Sequence, residues 1–419
     1  MAQQSGQSAV FLADKMEAVA RQLLSSADAL RVNPTAKQDH AGIIESTYSL
    51  LAGLKDPLDN VMDQMVYLSK FAAMRLFIKW GLFDKIPANG TISYEELASG
   101  IGAKTGLIAR FGSALVANGV LEETEKGTVA HTAQSRVLLS GNPINALICL
   151  GFDAHLKTMA RLPDYFDKFG LGEPIGRENT PIAFTIGNAS LTIWEHMNRS
   201  PEMKRTFMLA MQAMATRHGI IGDYSFEWVV DKAAESPDRP LVVDVGGSKG
   251  HALEVIVEAT GLPMERCVLE DLEPVLEMVR SQADGPIKQA RLVALDFHTE
   301  QPVKEAFVYY IRRCLHDYGD ADCIKILNQI SSAMAPDSRI LIVENVLGDP
   351  PSPVSIGNDI LMMLLGGKER TLEEFKSIMG EAGLEVEKLW RFKGTDYAII
   401  EGRKVTGKEE KKAGIRSRV

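Results

Sequence analysis

Apolar residues along this chain change their spacing twice. From residue 9 to 31 they recur at helical intervals, and after the polar stretch VNPTAKQDHAG the helical period returns from about Ser46 to Trp80. That second run carries Leu50, Leu51, Leu54, Val61, Met62, Met65, Leu68 and Phe71, more apolar surface than one helix face buries in a small domain. The excess predicts packing against a second subunit, with a plain internal core as the alternative. Over residues 81–139, Ser93-Tyr94-Glu95-Glu96 has the form of a capping box opening the helix YEELASGI. A second helix, LIARFGSALVANG, stops at Gly119, and VLEETEKGTVAHT reads as a hairpin turning near Lys126-Gly127. Helix, helix, hairpin is winged-helix order, but no Lys/Arg cluster marks the second helix, which argues against DNA reading.

Residues 142–228 read as helices with large side chains, among them Phe152, Tyr165, Phe184, Trp194, Phe207 and Met211. Such a set makes either a core or a lid over a flat organic ligand, and both readings stay open. From Pro240 onward the period shifts to strands at 241–245, 266–269, 291–295, 306–311, 339–344 and 397–401, alternating with helices. That alternation predicts a doubly wound α/β domain with ligands at the carboxyl ends of its strands.

The first of those strands leads into LVVDVGGSKG. Asp244 is followed by Gly246, Gly247 and Gly250, which allow close backbone approach to a ligand before a helix begins. Glu270-Asp271, about 26 residues further on, ends the next strand near the spacing at which a carboxylate meets ribose hydroxyls. The pair reads as a nucleotide-type cofactor site. Later strand ends carry Leu295-Asp296-Phe297, then Arg312-Arg313-Cys314-Leu315-His316-Asp317, then Val343-Glu344-Asn345; a loop, GGKERT, adds Glu369. His316 is the natural general base for a phenol or enol, and Glu344 or Glu369 could hold its second ring nitrogen. Read from pattern alone, a surface or capping histidine is the alternative.

Length, 419 residues, suggests two or three domains. A net charge of −9 is unlike a nucleic-acid-binding surface. The four cysteines lack CxxC spacing, so neither a disulfide framework nor a zinc site is indicated. No signal-peptide pattern opens the chain and no apolar run reaches the ~20 residues that span a bilayer, so a cytoplasmic protein without membrane contact is expected.

Taken in order, VDVGGSKGH, Glu270-Asp271, LDF, CLHDYGDADC, ILIVENV and GGKERTLEEF resemble the plant- and fungal-type O-methyltransferases that use S-adenosylmethionine. The resemblance is strongest to fungal secondary-metabolite enzymes of the sterigmatocystin O-methyltransferase kind and covers about residues 70–401. It implies an α/β, Rossmann-like class I methyltransferase domain behind an N-terminal helical and winged-helix dimerisation domain. The expected division is a helical extension (1–69), the winged-helix dimerisation domain (70–140), a helical substrate lid (141–235), the cofactor domain (236–402) and a disordered tail (403–419).

The same resemblance implies roles. Asp244, Gly246, Gly247 and Gly250 would shape the cofactor loop, Asp271 would bind the ribose, Asp296 and Phe297 would contact the adenine end, and Arg312 would join them. His316 would be the base, flanked by Glu344 and Glu369, with no metal required. Trp194, Met211, Asp317 and Met363 fall on the substrate side, and the partners expected are a hydrophobic small molecule and a second copy of the chain, bound through the N-terminal helices. Two features depart from the pattern. Ser248 stands where a third glycine is usual, restricting the loop backbone. His155 and Arg217 sit in the lid, where they are either helix-face polar residues or donors to a substrate carbonyl. The second option is similar to a fungal group with this fold, the pericyclases related to the leporin enzyme, which keep S-adenosylmethionine bound and catalyse dehydration and cycloaddition or ene chemistry.

Overall fold

The computed structural model describes residues 2–32, 40–215, 219–282 and 284–405, and the chain divides into two compact units, Met1–Ile148 and Cys149–Val419. The first unit opens on α1 (Ala2–Val32), α2 (His40–Leu54) and α3 (Pro57–Lys79). The helical run expected from Ser46 to Trp80 is therefore broken in two. Proline suits the first turn of a helix but not its interior, so Pro57 restarts the run, and the Asp56 carboxylate accepts the Leu58 N–H at 2.9 Å as its cap. α1 lies on α2, where Lys15 Nζ donates to Ser49 Oγ at 2.6 Å. Large apolar side chains stay exposed along all three helices, including Phe11 (71%), Tyr48 (64%), Leu58 (66%) and Val61 (60%).

Next come β1 (Ile92–Ser93), α4 (Tyr94–Ser99), α5 (Thr105–Ala117), β2 (Leu121–Glu125) and β3 (Thr128–His131). The capping box closes as the sequence suggests: Ser93 Oγ accepts the Glu96 N–H, and Glu96 Oε2 accepts the Ser93 N–H. Gly112 lets α5 pass close to α4, since a Cβ there would lie 2.1 Å from the Tyr94 ring. The strands order β1-β3-β2, all antiparallel, over a core that includes Phe77, Leu97, Ile108 and Leu115.

The second unit is built on β4 (Val242–Val245), β5 (Val268–Asp271), β6 (Arg291–Ala294), β7 (Val308–Arg312), β8 (Arg339–Leu347), β9 (Arg370–Thr371), β10 (Leu384–Arg391) and β11 (Tyr397–Lys404). The main sheet runs β10-β11-β8-β7-β4-β5-β6, with β9 paired to β8. β8 to β6 are parallel, whereas β11 and β10 are antiparallel at one edge. Alternate residues of β4 feed opposite cores: Val243 and Val245 on one face, Val242 on the other. Both faces of a parallel sheet are covered, which is why this strand is continuously apolar up to Asp244. The chain crosses away from β4 in opposite directions, to β5 and to β7, so a crevice opens at its carboxyl end.

β8 runs three residues past the expected strand, and β11 runs to Lys404, beyond the expected domain end at 402. Residues 406–419, the bulk of the expected tail, lie outside the described residues. No helix among the described residues is long and apolar enough to cross a membrane.

Candidate active site

The glycine turn after β4 is a cradle whose shape a side chain would fill. Gly246 and Gly250 have φ of +70° and +80°, and a Cβ on Gly247 would lie 2.3 Å from Asp244 Oδ2. The Gly246 and Gly247 amides both donate to the Glu270 carbonyl, at 2.8 and 3.0 Å, so these two N–H groups are used inside the turn. Asp244 is buried beneath it, and its Oδ2 has no hydrogen-bond partner among the described residues. Burial pushes this carboxyl up to about 7, against the opposing pull of the Arg312 guanidinium. A buried carboxylate oxygen without a donor, under a turn kept free of side chains, fits a ligand that supplies the missing hydrogen bond.

The acidic pair at the end of β5 splits its duties. Glu270 points into the protein, where its Oε2 accepts from Gln301 at 2.6 Å. Asp271 faces the turn: one carboxylate oxygen accepts the Ser248 N–H at 2.8 Å, the other the Leu272 N–H at 2.7 Å. Ser248 has φ +54°, so the residue replacing the usual glycine is held in the left-handed region, by the hydrogen bond to Asp271. Phe297 flanks the same turn, its ring 3.2 Å from where a Gly246 Cβ would stand. Asp296 is exposed and accepts the His298 N–H at 3.0 Å. Arg312 ends β7 and donates from Nη2 to the Ala215 carbonyl at 3.1 Å.

His316 sits on the short 3₁₀ turn Leu315–Asp317 that follows β7, and it is buried. Its Nδ1 lies 3.4 Å from Glu369 Oε1 and 3.5 Å from Glu344 Oε2, while Nε2 lies 3.7 Å from Asp317 Oδ1. Both glutamates, left as alternatives by the sequence, thus reach the same ring nitrogen. Glu344 also anchors the turn, its Oε1 accepting the Cys314 and Leu315 amides, each at 2.9 Å. Burial alone would lower the imidazole; Glu344, Asp317 and Glu369 outweigh it and lift it to about 9. His316, Glu344 and Glu369 offer atoms within 4.8 Å of one another, a spacing that a divalent cation could also occupy.

One residue of this site carried no role in the sequence reading. Arg370, fully buried, donates to the Leu315 carbonyl (3.1 Å), the Tyr318 carbonyl (2.8 Å) and Asp320 Oδ1 (2.9 Å). It brackets the turn that carries His316. A charged residue directly after Glu369 was the only signal available.

Beside the turn lies a narrow, largely apolar slot of about 20 Å³, lined by Trp194, Met197, Phe207, Leu365, Asp317 and Tyr318, with the exposed Arg177 at its edge. Trp194 and Phe207 meet edge to face at 5.7 Å. Of the expected substrate residues, Trp194 and Asp317 line it, whereas His155, Met211 and Met363 do not. Met211 Sδ instead lies 3.9 Å from Arg313 Nη2, and Met363 is half-buried on the helix Pro353–Leu365. His155 occupies a π-helical turn, Gly151–Leu156; its neighbour Ala154 packs against the core of Ile182, Ile193 and Met197, as Trp194 and Phe207 also do. Burial lowers its pKa, which keeps the ring neutral. Arg217 lies outside the described residues.

Comparison with known proteins now adds the family. Residues 171–385 match the O-methyltransferase domain, and residues 62–141 the O-methyltransferase dimerisation domain. The chain is 37% identical to methyltransferase cfoD of Aspergillus candidus over 82% of this chain and 87% of that protein. It is 34% identical to methyltransferase fsa4 of a Fusarium species over 79% and 92% of the two chains. Among solved structures, LepI in complex with SAM superposes with a TM-score of 0.81 at 22% identity, covering 92% of this chain and all of that one. OxaC in complex with SAH and oxaline gives 0.80 at 23% identity, with 93% and 100% covered. The structural likenesses show a shared fold; the family-domain match and the sequence relatives go further, and by them the chain belongs to the O-methyltransferase family.

Proposed function

We propose that this protein is an S-adenosylmethionine-dependent methyltransferase that methylates an acidic hydroxyl of a hydrophobic small molecule, and that it works as a homodimer through its N-terminal unit. The observation that carries the reading is the His316 cluster: Nδ1 faces two buried carboxylates while Nε2 faces Asp317, which lines the apolar slot. When bound, the cofactor supplies a sulfonium-activated methyl group. The residues that would hold it are the Gly246–Gly250 turn, Asp244 with its orphan oxygen, Asp271 and Phe297.

The rest of the chemistry belongs to the chain. Trp194 and Phe207 would hold a flat acceptor and exclude water, placing its hydroxyl at His316. His316 Nε2 takes the hydroxyl proton. The resulting imidazolium stays beside Glu344 and Glu369, which stabilise it as the acceptor oxygen becomes nucleophilic. The exposed apolar side chains of α1 to α3, continuous with the dimerisation domain that begins at residue 62, support the dimer.

The test is incubation of the purified protein with S-adenosylmethionine and a panel of flat phenols and enols. Methyl transfer yields S-adenosylhomocysteine in one-to-one proportion with methylated product. A second reading, pericyclic chemistry on the same fold, is favoured by His155, a neutral imidazole on a π-helical turn next to Ala154, which packs against the same core as Trp194 and Phe207. It predicts a rearranged product with no S-adenosylhomocysteine.

A further inference from the structure

The segment before the helix Pro181–Ile186 is strapped onto the turn that carries His316. The Gly176 N–H donates to the Gly366 carbonyl at 3.0 Å, and a Cβ on Gly366 would sit 2.0 Å from the Gly176 carbonyl oxygen. Just before it, Ile175 presses on Gly319, where a Cβ would lie 2.3 Å from Ile175 Cγ2. Just after, the Asn179 carbonyl accepts from Tyr165 Oη at 2.7 Å and the Asn179 N–H donates to the Ala189 carbonyl at 2.6 Å. The strap is thus pinned on both sides of Arg177. Such close backbone contacts tolerate no side chain at Gly366, so the position of Arg177 is built into the fold.

Arg177 emerges between the pins, exposed, and lines the slot together with Trp194 and Asp317. Among the described residues it makes no ion pair and no hydrogen bond. Arg177 and Glu195 are both exposed and feel each other's charge without forming an ion pair, and the remaining acidic groups around Arg177 are engaged elsewhere or turned to water. Glu195 Oε2 accepts both the N–H (2.8 Å) and the hydroxyl (2.9 Å) of Thr192 in a capping box. Asp317 faces His316, and Glu178 is exposed. The nearby His298 is kept neutral by burial and by Arg177 itself.

A slot that is apolar apart from Asp317, edged by a guanidinium that makes no ion pair or hydrogen bond among the described residues, suits an amphiphilic anion, because Arg presents a planar fork of donors that matches a carboxylate or enolate. We propose that Arg177 is the anion-recognising residue of the substrate site, and that the natural substrate is a flat apolar molecule bearing a carboxylate or enolate apart from the atom that is modified. This rests on reading the slot as the substrate site, and it holds under either chemistry proposed above.

The test uses 2-naphthoate and its neutral near-isostere 2-naphthamide, titrated into the S-adenosylhomocysteine-loaded protein with tryptophan fluorescence as readout. Naphthoate is expected to bind about tenfold more tightly, the size of a charge-assisted pair. Added salt should weaken naphthoate binding and leave naphthamide unchanged. Arg177→Gln should abolish the preference, Arg177→Lys should restore part of it, and both variants should keep the wild-type affinity for S-adenosylhomocysteine. Equal binding of the two probes by the wild-type protein, or a preference that survives in Arg177→Gln, overturns the proposal. Turnover is not needed, so a protein that prefers naphthoate yet transfers no methyl group refutes the methyltransferase reading and leaves this one standing.

Discussion

The Lys368 N–H donates to the His316 carbonyl at 2.9 Å, so the loop that delivers Glu369 also grips the backbone of the residue Glu369 contacts. Gly367 permits this: a Cβ there would stand 2.0 Å from the same carbonyl oxygen. Base, carboxylate and backbone are therefore one rigid assembly, and its parts should fail in distinguishable ways.

Activity should follow the state of His316. With the imidazole lifted to about 9, kcat/KM for a neutral phenol acceptor should climb from pH 7 toward 9. His316→Gln should flatten the profile and lower kcat by 10²-fold or more, roughly the worth of a general base. A profile with its midpoint near the ordinary histidine value would contradict the carboxylate cluster's influence.

Stability should carry the opposite signature. The folded-state value of about 9 lies above the ordinary 6.5, so the imidazolium's contribution is complete below about 6.5 and is lost as pH rises through about 9. Denaturant unfolding of wild type and His316→Phe across that window should show the difference between them shifting against the wild type as pH rises. A difference that moves the other way would falsify the assignment.

Glu344→Gln separates charge from scaffolding. The side-chain amide keeps an oxygen to accept the Cys314 and Leu315 N–H groups but no longer stabilises the imidazolium. His316 should titrate lower by NMR and kcat should drop, while S-adenosylhomocysteine affinity is retained. Unchanged titration would mean that Glu369 and Asp317 carry the effect alone.

Arg370→Met should act through the fold. It leaves the buried carbonyls of Leu315 and Tyr318 without their donor and should cost about 3 kcal/mol, at the low end for breaking a buried charged network. Chemical denaturation measures this directly, and a loss below about 1 kcal/mol would show that water replaces the guanidinium.

Chelation tests the other use of the His316 cluster. Because the imidazolium balances the surrounding carboxylates, EDTA treatment should leave methyl transfer unchanged. Loss of activity that added magnesium or zinc restores would reassign the three side chains as ligands.

Five parallel strands, β4 to β8, were legible as largely apolar runs that give way to glycine or charged residues, as at Asp244-Val245-Gly246, whereas the two-residue β9 carries no such run. β10 escaped notice because LEVEKLWR alternates apolar and polar residues, the signature of an edge strand that a search for buried runs passes over. Asp271, His316, Glu344 and Glu369 stood out as charged residues at strand ends and in a loop motif. Arg177 did not, since its significance comes from Gly176 meeting Gly366, a contact between segments about 190 residues apart. The lid assignments were the least legible: aromatic and methionine side chains look alike whether they face a core or a ligand, and among the described residues of the expected set only Trp194 and Asp317 reach the slot.

The grip on His316 has an evolutionary corollary. Glu344 on β8 and residues 367–370 supply most of the grip on His316, while much of the apolar wall comes from the helices Ile193–Arg199 and Pro201–Ala215. Wall residues can be exchanged without loosening the turn. Under the proposed function, a lineage using this scaffold is free to drift from one small molecule to another by mutation in the wall alone, carrying an unaltered proton-transfer apparatus with it.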